Sequence, residues 1–282
     1  MRNQYLKKIV DRPLGYLVVY AICVLVLGAC KAKNGTDAPE PSGQSVRVLA
    51  YNIHHAEGMD GVIDLVRIAA LIKSVNPDVV TLQEVDSVTI RTGGVDQAAE
   101  LGRLTGYFHV FSEFMPYQGG GYGMAVLSRW PILEARTLRL PDGEEPRTSL
   151  AVTVETEASG QRIRIVGIHF YKTEEQRMAQ AVSTETQLQQ SRIPTLLMGD
   201  FNSEPDSPVM SKLSENWIIV EKGRDNLTYS SFDPKKEIDY ALIRKGSGLE
   251  VANQYLMDEP VMSDHRPYVV DLIIARPAED TL

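Results

Sequence analysis

Short apolar runs that stop abruptly at polar residues recur along this chain. Val46–Asn52 (VRVLAYN) reads as a first strand, and Leu65, Ile68, Ala69, Leu71 and Ile72 fall at helical spacing within Asp64–Ser74. Asn76-Pro77 stops that helix, and Asp78–Gln83 (DVVTLQ) predicts a second strand running into Glu84. Asp96–Leu104 predicts a second helix. Tyr107–Glu113, Gly123–Ser128, Ile132–Leu140, Ser149–Glu157 and Arg162–Phe170 follow as strands, with Asp142-Gly143 and Ser159-Gly160 as the clearest hairpin signals. Glu174–Gln190 reads as a long polar helix with only Met178, Ala181, Val182 and Leu188 to bury. The last third holds strands at Thr195–Met198, Ile238–Ile243, Glu250–Met257 and Pro267–Ile274. No repeat of fixed period and no domain-dividing break interrupts this order. About a dozen strands rarely stay in one sheet. The pattern therefore predicts a single α/β or α+β domain over residues 46–275, two packed sheets covered by helices, with 276–282 as a tail.

The N-terminal segment follows another logic. Residues 1–13 carry Arg2, Lys7, Lys8 and Arg12 against Asp11, then comes the apolar run Leu14–Ala29. A basic start, a short apolar run and small residues at its end describe a secretory signal peptide over residues 1–29, and the run falls short of the ~20 residues of a spanning helix. Leu27-Gly28-Ala29-Cys30 resembles a bacterial lipobox, which implies a lipid-modified Cys30 as the first residue after processing; an uncleaved anchor is the alternative. Both put the domain outside the cytoplasm and tied to a membrane. Residues 30–45, rich in Pro, Gly, Ser and Asn, read as a tether. Fifteen residues of it, Lys31–Ser45, reach at most about 50 Å.

The only cysteines in the 282 residues are Cys23 and Cys30, so the folded part has no thiol. A disulfide framework or thiolate metal site is excluded there, and any metal must be held by oxygen and imidazole. Without residues 1–29 the net charge of −8 becomes −11, which disfavours non-specific binding to a polyanion. No basic stripe interleaved with aromatic residues is visible either.

Polar residues mark the ends of many predicted strands. VRVLAY ends at Asn52, VVTLQ at Glu84, IRIVGI at His169 and TLLMG at Asp200, with Asn202 two residues on; Asp239 precedes YALI, and Asp264-His265 precedes the last strand. In an extended Asp200-Phe201-Asn202 the two polar side chains share one side. Each residue taken alone is best read as a turn former or a structural histidine. Together they supply the carboxylates, amides and imidazoles needed to position a nucleophile, stabilise charge and hold a hard cation.

The stretches YNIHHAEG, TLQEVD, GMAVLSRWPI, EPRTSL, VGIHF, MGDFNSEP, IDYALI and SDHRPYVVDL resemble, in order, the endonuclease/exonuclease/phosphatase superfamily over about residues 46–275. The resemblance implies a four-layer sandwich, two facing mixed β-sheets flanked by helices, and a Mg²⁺-dependent phosphoester hydrolase in which Mn²⁺ is a substitute. Carried onto this sequence, it implies Glu84, Asn52 and Asp264 as metal ligands. Asp200 would activate water with Asn202 beside it, His265 held by Asp239 would stabilise developing charge, and His169 would meet the phosphate or the leaving oxygen. Arg147 is a phosphate-clamp candidate, and a surface pair with Glu144 or Glu145 is its alternative. With strand alternation His54 shares the face of Asn52 and would line the cleft. His109 reads as structural, and Trp130 and Trp217 as packing residues. Gly119–Gly123 reads as a mobile loop beside the cleft. The expected partner is a phosphoester substrate, a small or lipid-linked phosphodiester, met by a monomer. Nuclease action and a non-catalytic binding module are the alternatives.

Overall fold

The computed structural model describes residues 43–275, so the expected leader, Cys30, most of the tether and the tail lie outside the described residues. The first sheet contains β1 (Gly43–Asn52), β2 (Val79–Ser87), β3 (Phe108–Tyr117), β4 (Gly120–Ser128), β11 (Leu249–Leu256) and β12 (Tyr268–Ala275), in the order β11-β12-β1-β2-β4-β3. The second contains β5 (Ile132–Arg139), β6 (Thr148–Glu155), β7 (Arg162–His169), β8 (Thr195–Asp200), β9 (Trp217–Ile219) and β10 (Asp239–Arg244), in the order β5-β6-β7-β8-β10-β9. Each sheet has one parallel pair, β1 with β2 and β7 with β8, and is otherwise antiparallel.

The period-2 pattern of the strands decides the layers. Along β1, Val46, Val48 and Ala50 face the second sheet, while Leu49 and Tyr51 face α1 (Leu65–Val75) and α2 (Gln97–Thr105). Met198 of β8 packs between the sheets, while Leu197 faces α3 (Glu174–Leu188) and α4 (Pro208–Leu213). Three buried apolar layers thus hold the expected α+β sandwich of two mixed sheets with helices outside. The Asp64 carboxylate accepts from Val66 and Arg67 N–H to cap α1, and Asp96 caps α2 through Ala99 N–H.

Several boundaries differ from the sequence reading. β1 begins at Gly43, three residues inside the expected tether, because Gly43–Ser45 pair with Ile273–Ala275 of β12. The glycine run is not a mobile loop: Gly120–Gly123 form the first residues of β4, paired with β2 on one side and β3 on the other. A Cβ at Gly123 would lie 2.1 Å from the Ser112 carbonyl oxygen, so the glycines allow close strand approach. Asp142-Gly143 falls in an eight-residue link between Arg139 and Thr148 rather than in a tight turn, and only Gly160 takes the left-handed turn conformation, φ 64°. Helix α4 and strand β9 were too short for their periodicity to register.

Candidate active site

Strand direction gathers the polar strand ends. In the parallel β1–β2 pair Asn52 lies opposite Gln83, and in the parallel β7–β8 pair His169 lies opposite Asp200. β10 runs antiparallel to β8 and sets Asp239 across from Asp200; β12 runs antiparallel to β1, so Asp264 and His265, just before it, arrive at the same end. Open α/β sheets bind ligands beyond the carboxyl ends of parallel strands, and here two sheets present such ends together.

Glu84 reaches this end only through a bulge. Thr81 and Gln83 face the second sheet and Val80 and Leu82 face the helices, so regular alternation would carry Glu84 to the helix side. The register of β2 on β4 shifts between Gln83 and Val85, Glu84 takes a left-handed φ of 57°, and Val85 fills the helix-side place. An extra residue in one strand re-aims a side chain in this way. The segment after β1 is left-handed too: His54, His55 and Ala56 have φ of 46°, 45° and 63°. His54 therefore leaves the strand, and alternation does not place it.

A chain of short contacts crosses the site. His265 Nδ1 lies 2.9 Å from Asp239 Oδ2, and its Nε2 lies 3.7 Å from Asp200 Oδ2. Asn52 Nδ2 donates to Glu84 Oε1 at 3.0 Å and to Asp200 Oδ2 at 3.3 Å, while Asn52 Oδ1 accepts from His54 N–H. That places the Asn52 nitrogen, not its oxygen, towards Glu84. Asn52, expected as a metal ligand, thus sits among Glu84, Asp200 and His265, whose Nε2 lies 3.4 Å from its Nδ2. His169 Nε2 lies 3.6 Å from Asp200 Oδ2. Asn202, with φ of 50°, is not extended from Asp200 as expected; its N–H donates to Asp200 Oδ1 and its Nδ2 to the Phe170 carbonyl.

Burial sets the protonation. It pulls the His265 imidazolium down, but the charge and hydrogen bond of Asp239, then Asp200 and Asp264, outweigh it and push the group up to about 10. Burial pushes the Asp200 carboxyl up to about 7; the His265 cation opposes this, Asp239 adds to it, the Asn202 N–H opposes it and Glu84 adds to it. His169 is driven well below the ordinary range by burial, then by Arg147 and His265, so it is neutral. Burial also lowers His55, against the hydrogen bond it donates to Glu57.

A cavity of about 610 Å³ lies over this chain, lined by Glu84, His169, Asp200, Asn202, Asp264 and His265 among others. Three cations also line it: Lys172, Arg177 and Lys236. Sequence reasoning singled out none of them: Lys172 and Arg177 sit before and within a polar helix, and Lys236 lies in the connection between β9 and β10. Arg147 is not among the lining residues. It pairs with Glu145, as its alternative reading expected, but in a buried position with its guanidinium 4.9, 5.4 and 5.9 Å from the Phe114, Tyr171 and Tyr122 rings. His109 is exposed, and Trp130 and Trp217 are core residues.

Two side-chain groups among the described residues are close enough to share an ion: His54, His55 and Glu84, and Asp200, Asp239 and His265. The second is already joined by its own ion pairs. Asp264 belongs to neither, though it lines the cavity. The donor set fits a divalent cation on the Glu84 side, where the carboxylates of Glu84, Asp200 and Asp264 line one cavity and offer oxygen to a hard ion.

Residues 49–265 match the endonuclease/exonuclease/phosphatase family, and the chain belongs to that family of phosphoester hydrolases. Among solved structures, an endonuclease/exonuclease/phosphatase family protein from Bacteroides thetaiotaomicron superposes with a TM-score of 0.70 at 17% identity, covering 83% of this chain and 99% of its own. The human Nocturnin catalytic domain with bound sulfate gives 0.63 at 23% identity over 83% and 96%. A mannosyl-6-phosphatase of Bacteroides thetaiotaomicron gives 0.66 at 16% over 81% and 99%. At these identities the likeness is one of fold. A comparison with curated protein sequences found no significant match.

Proposed function

We propose that this chain is a divalent-metal-dependent phosphodiesterase acting on a small or lipid-linked phosphodiester outside the cytoplasm, held at a membrane through a lipidated Cys30. The supporting observation is the convergence of Glu84, His169, Asp200, Asn202, Asp264 and His265, from separate segments, on one cavity. Glu84 and Asp264 would hold the cation, Mg²⁺ or Mn²⁺, which supplies Lewis-acid charge to the phosphoryl oxygens. Asp200 takes the proton of the attacking water, with Asn202 setting the turn that aims it. His265, kept protonated by Asp239, faces the developing negative charge. Neutral His169 meets the leaving oxygen. Lys172, Arg177 and Lys236 replace Arg147 as the groups that receive the phosphate charge.

Hydrolysis of bis-p-nitrophenyl phosphate tests this reading. Turnover that EDTA abolishes and added Mg²⁺ or Mn²⁺ restores supports it; absent turnover overturns it in favour of a binding module, and metal-independent turnover overturns the metal requirement. Efficient plasmid nicking at physiological salt, with no release from phosphodiester lipids, would make the chain a nuclease. The body's net charge of −11 once residues 1–29 are removed favours the lipid or small substrate.

A further inference from the structure

We propose that the cation at Glu84 is held by imidazole nitrogens of His54 and His55 as well as by carboxylate oxygen, so that this site prefers a borderline transition ion to Mg²⁺. The proposal rests on the reading above that a cation belongs at Glu84. One ring nitrogen of each histidine and one Glu84 oxygen lie within 4.8 Å of one another.

The hydrogen bonds fix which nitrogens are free. His54 Nδ1 lies 3.1 Å from the Glu57 carbonyl oxygen, which can only accept, so Nδ1 carries the proton and Nε2 keeps its lone pair. His55 Nε2 lies 3.0 Å from Glu57 Oε2 and donates to it. Its Nδ1 is left as a buried lone pair with no hydrogen-bond partner in a side chain that is only 7% exposed. An orphaned buried acceptor is costly unless something binds it. A ligating histidine normally donates its other ring N–H to a carboxylate or a backbone carbonyl, and both histidines do so, to the same residue. Three consecutive left-handed residues hold this turn against its own steric preference. A nitrogen-plus-carboxylate donor set favours Mn²⁺, Co²⁺ or Zn²⁺, whereas Mg²⁺ takes oxygen and keeps its waters.

The test uses the full-length protein stripped with EDTA. With one equivalent of Mn²⁺, pulsed electron paramagnetic resonance should show coupling to imidazole ¹⁴N, and calorimetry should show Zn²⁺ binding at least about tenfold tighter than Mg²⁺. His55 is buried and its replacement threatens the fold, so the companion variant is Glu57→Ala, whose side chain is 39% exposed. It should weaken Zn²⁺ by about 10- to 100-fold. Mn²⁺ without nitrogen coupling, or Zn²⁺ affinity unchanged in Glu57→Ala, overturns the proposal. Mg²⁺-dependent hydrolysis without nitrogen coupling leaves the proposed function standing and this inference not; nitrogen coupling without hydrolysis in any ion does the reverse.

Discussion

The two sheets each contribute one strand–helix–strand unit to the site, β1-α1-β2 and β7-α3-β8, and they deliver their residues in opposite ways. The second keeps regular strands to the end: His169 and Asp200 face each other in register and are almost wholly buried. Within the strand its backbone departure falls on Gly199, φ 141°, where a Cβ would lie 2.3 Å from the Ile168 carbonyl oxygen and 2.7 Å from Gln83 Nε2; beyond the strand end Asn202 is left-handed. The first unit breaks strand geometry at His54, His55 and Glu84, none of them glycine. Of these three only His55 is buried; His54 and Glu84 are half-buried. The difference shows how one fold makes two environments. Regular burial moves protonation equilibria, while a strained, half-open turn sets lone pairs around a point where charge can be added.

Asp200→Asn strikes hardest at the buried half. Steady-state kinetics should show kcat lowered by about 10²- to 10⁴-fold, the range for a lost general base. The same variant should melt at a higher temperature at pH 8, since it removes a carboxylate whose ionisation burial opposes. A variant with unchanged kcat would end the assignment.

Gly199→Ala asks whether close sheet approach is required there. Overpacking of this kind costs about 1–3 kcal/mol, read as a lower denaturation midpoint in urea. Unchanged stability would mean that the Ile168 and Gln83 neighbours can yield.

Asp239→Asn sharpens the electrostatic contrast. His265 is raised in the fold from 6.5 to about 10, so it contributes stability that is whole below about 6.5 and declines as pH rises to about 10. One extra bound proton gives a slope of at most about 1.4 kcal/mol per pH unit within that window. Thermal melts of the wild type should fall across pH 7–10 more steeply than those of Asp239→Asn, in which burial is left to lower the imidazole. Parallel curves would show that Asp239 does not hold the proton on His265.

Lys236→Ala is the smallest change. Its exposed ammonium at the cavity mouth should affect KM by no more than about fivefold with kcat intact, as fits an exposed charge contributing about 0–1 kcal/mol. A collapse of kcat would instead bring Lys236 into contact with the reacting group.

The sequence by itself determined the layers and the polar strand ends. Alternation along Val46–Asn52 assigns each side chain to a face before any partner is known, and helical spacing in Asp64–Ser74 does the same for α1. Asn52, His169, Asp200 and His265 were legible because each stands where an apolar run stops. Only the tertiary structure decided what those residues do to one another. The Glu84 bulge depends on pairing with β4, the left-handed turn at His54–Ala56 has no glycine to announce it, and Arg147 was withdrawn from the cavity by Glu145 and three aromatic rings distant in sequence. Hydrophobic period is a local property of the chain and can be read along it. Register shifts, lone-pair direction and the electrostatic cost of burial arise between segments, so they exist only once the two sheets have met.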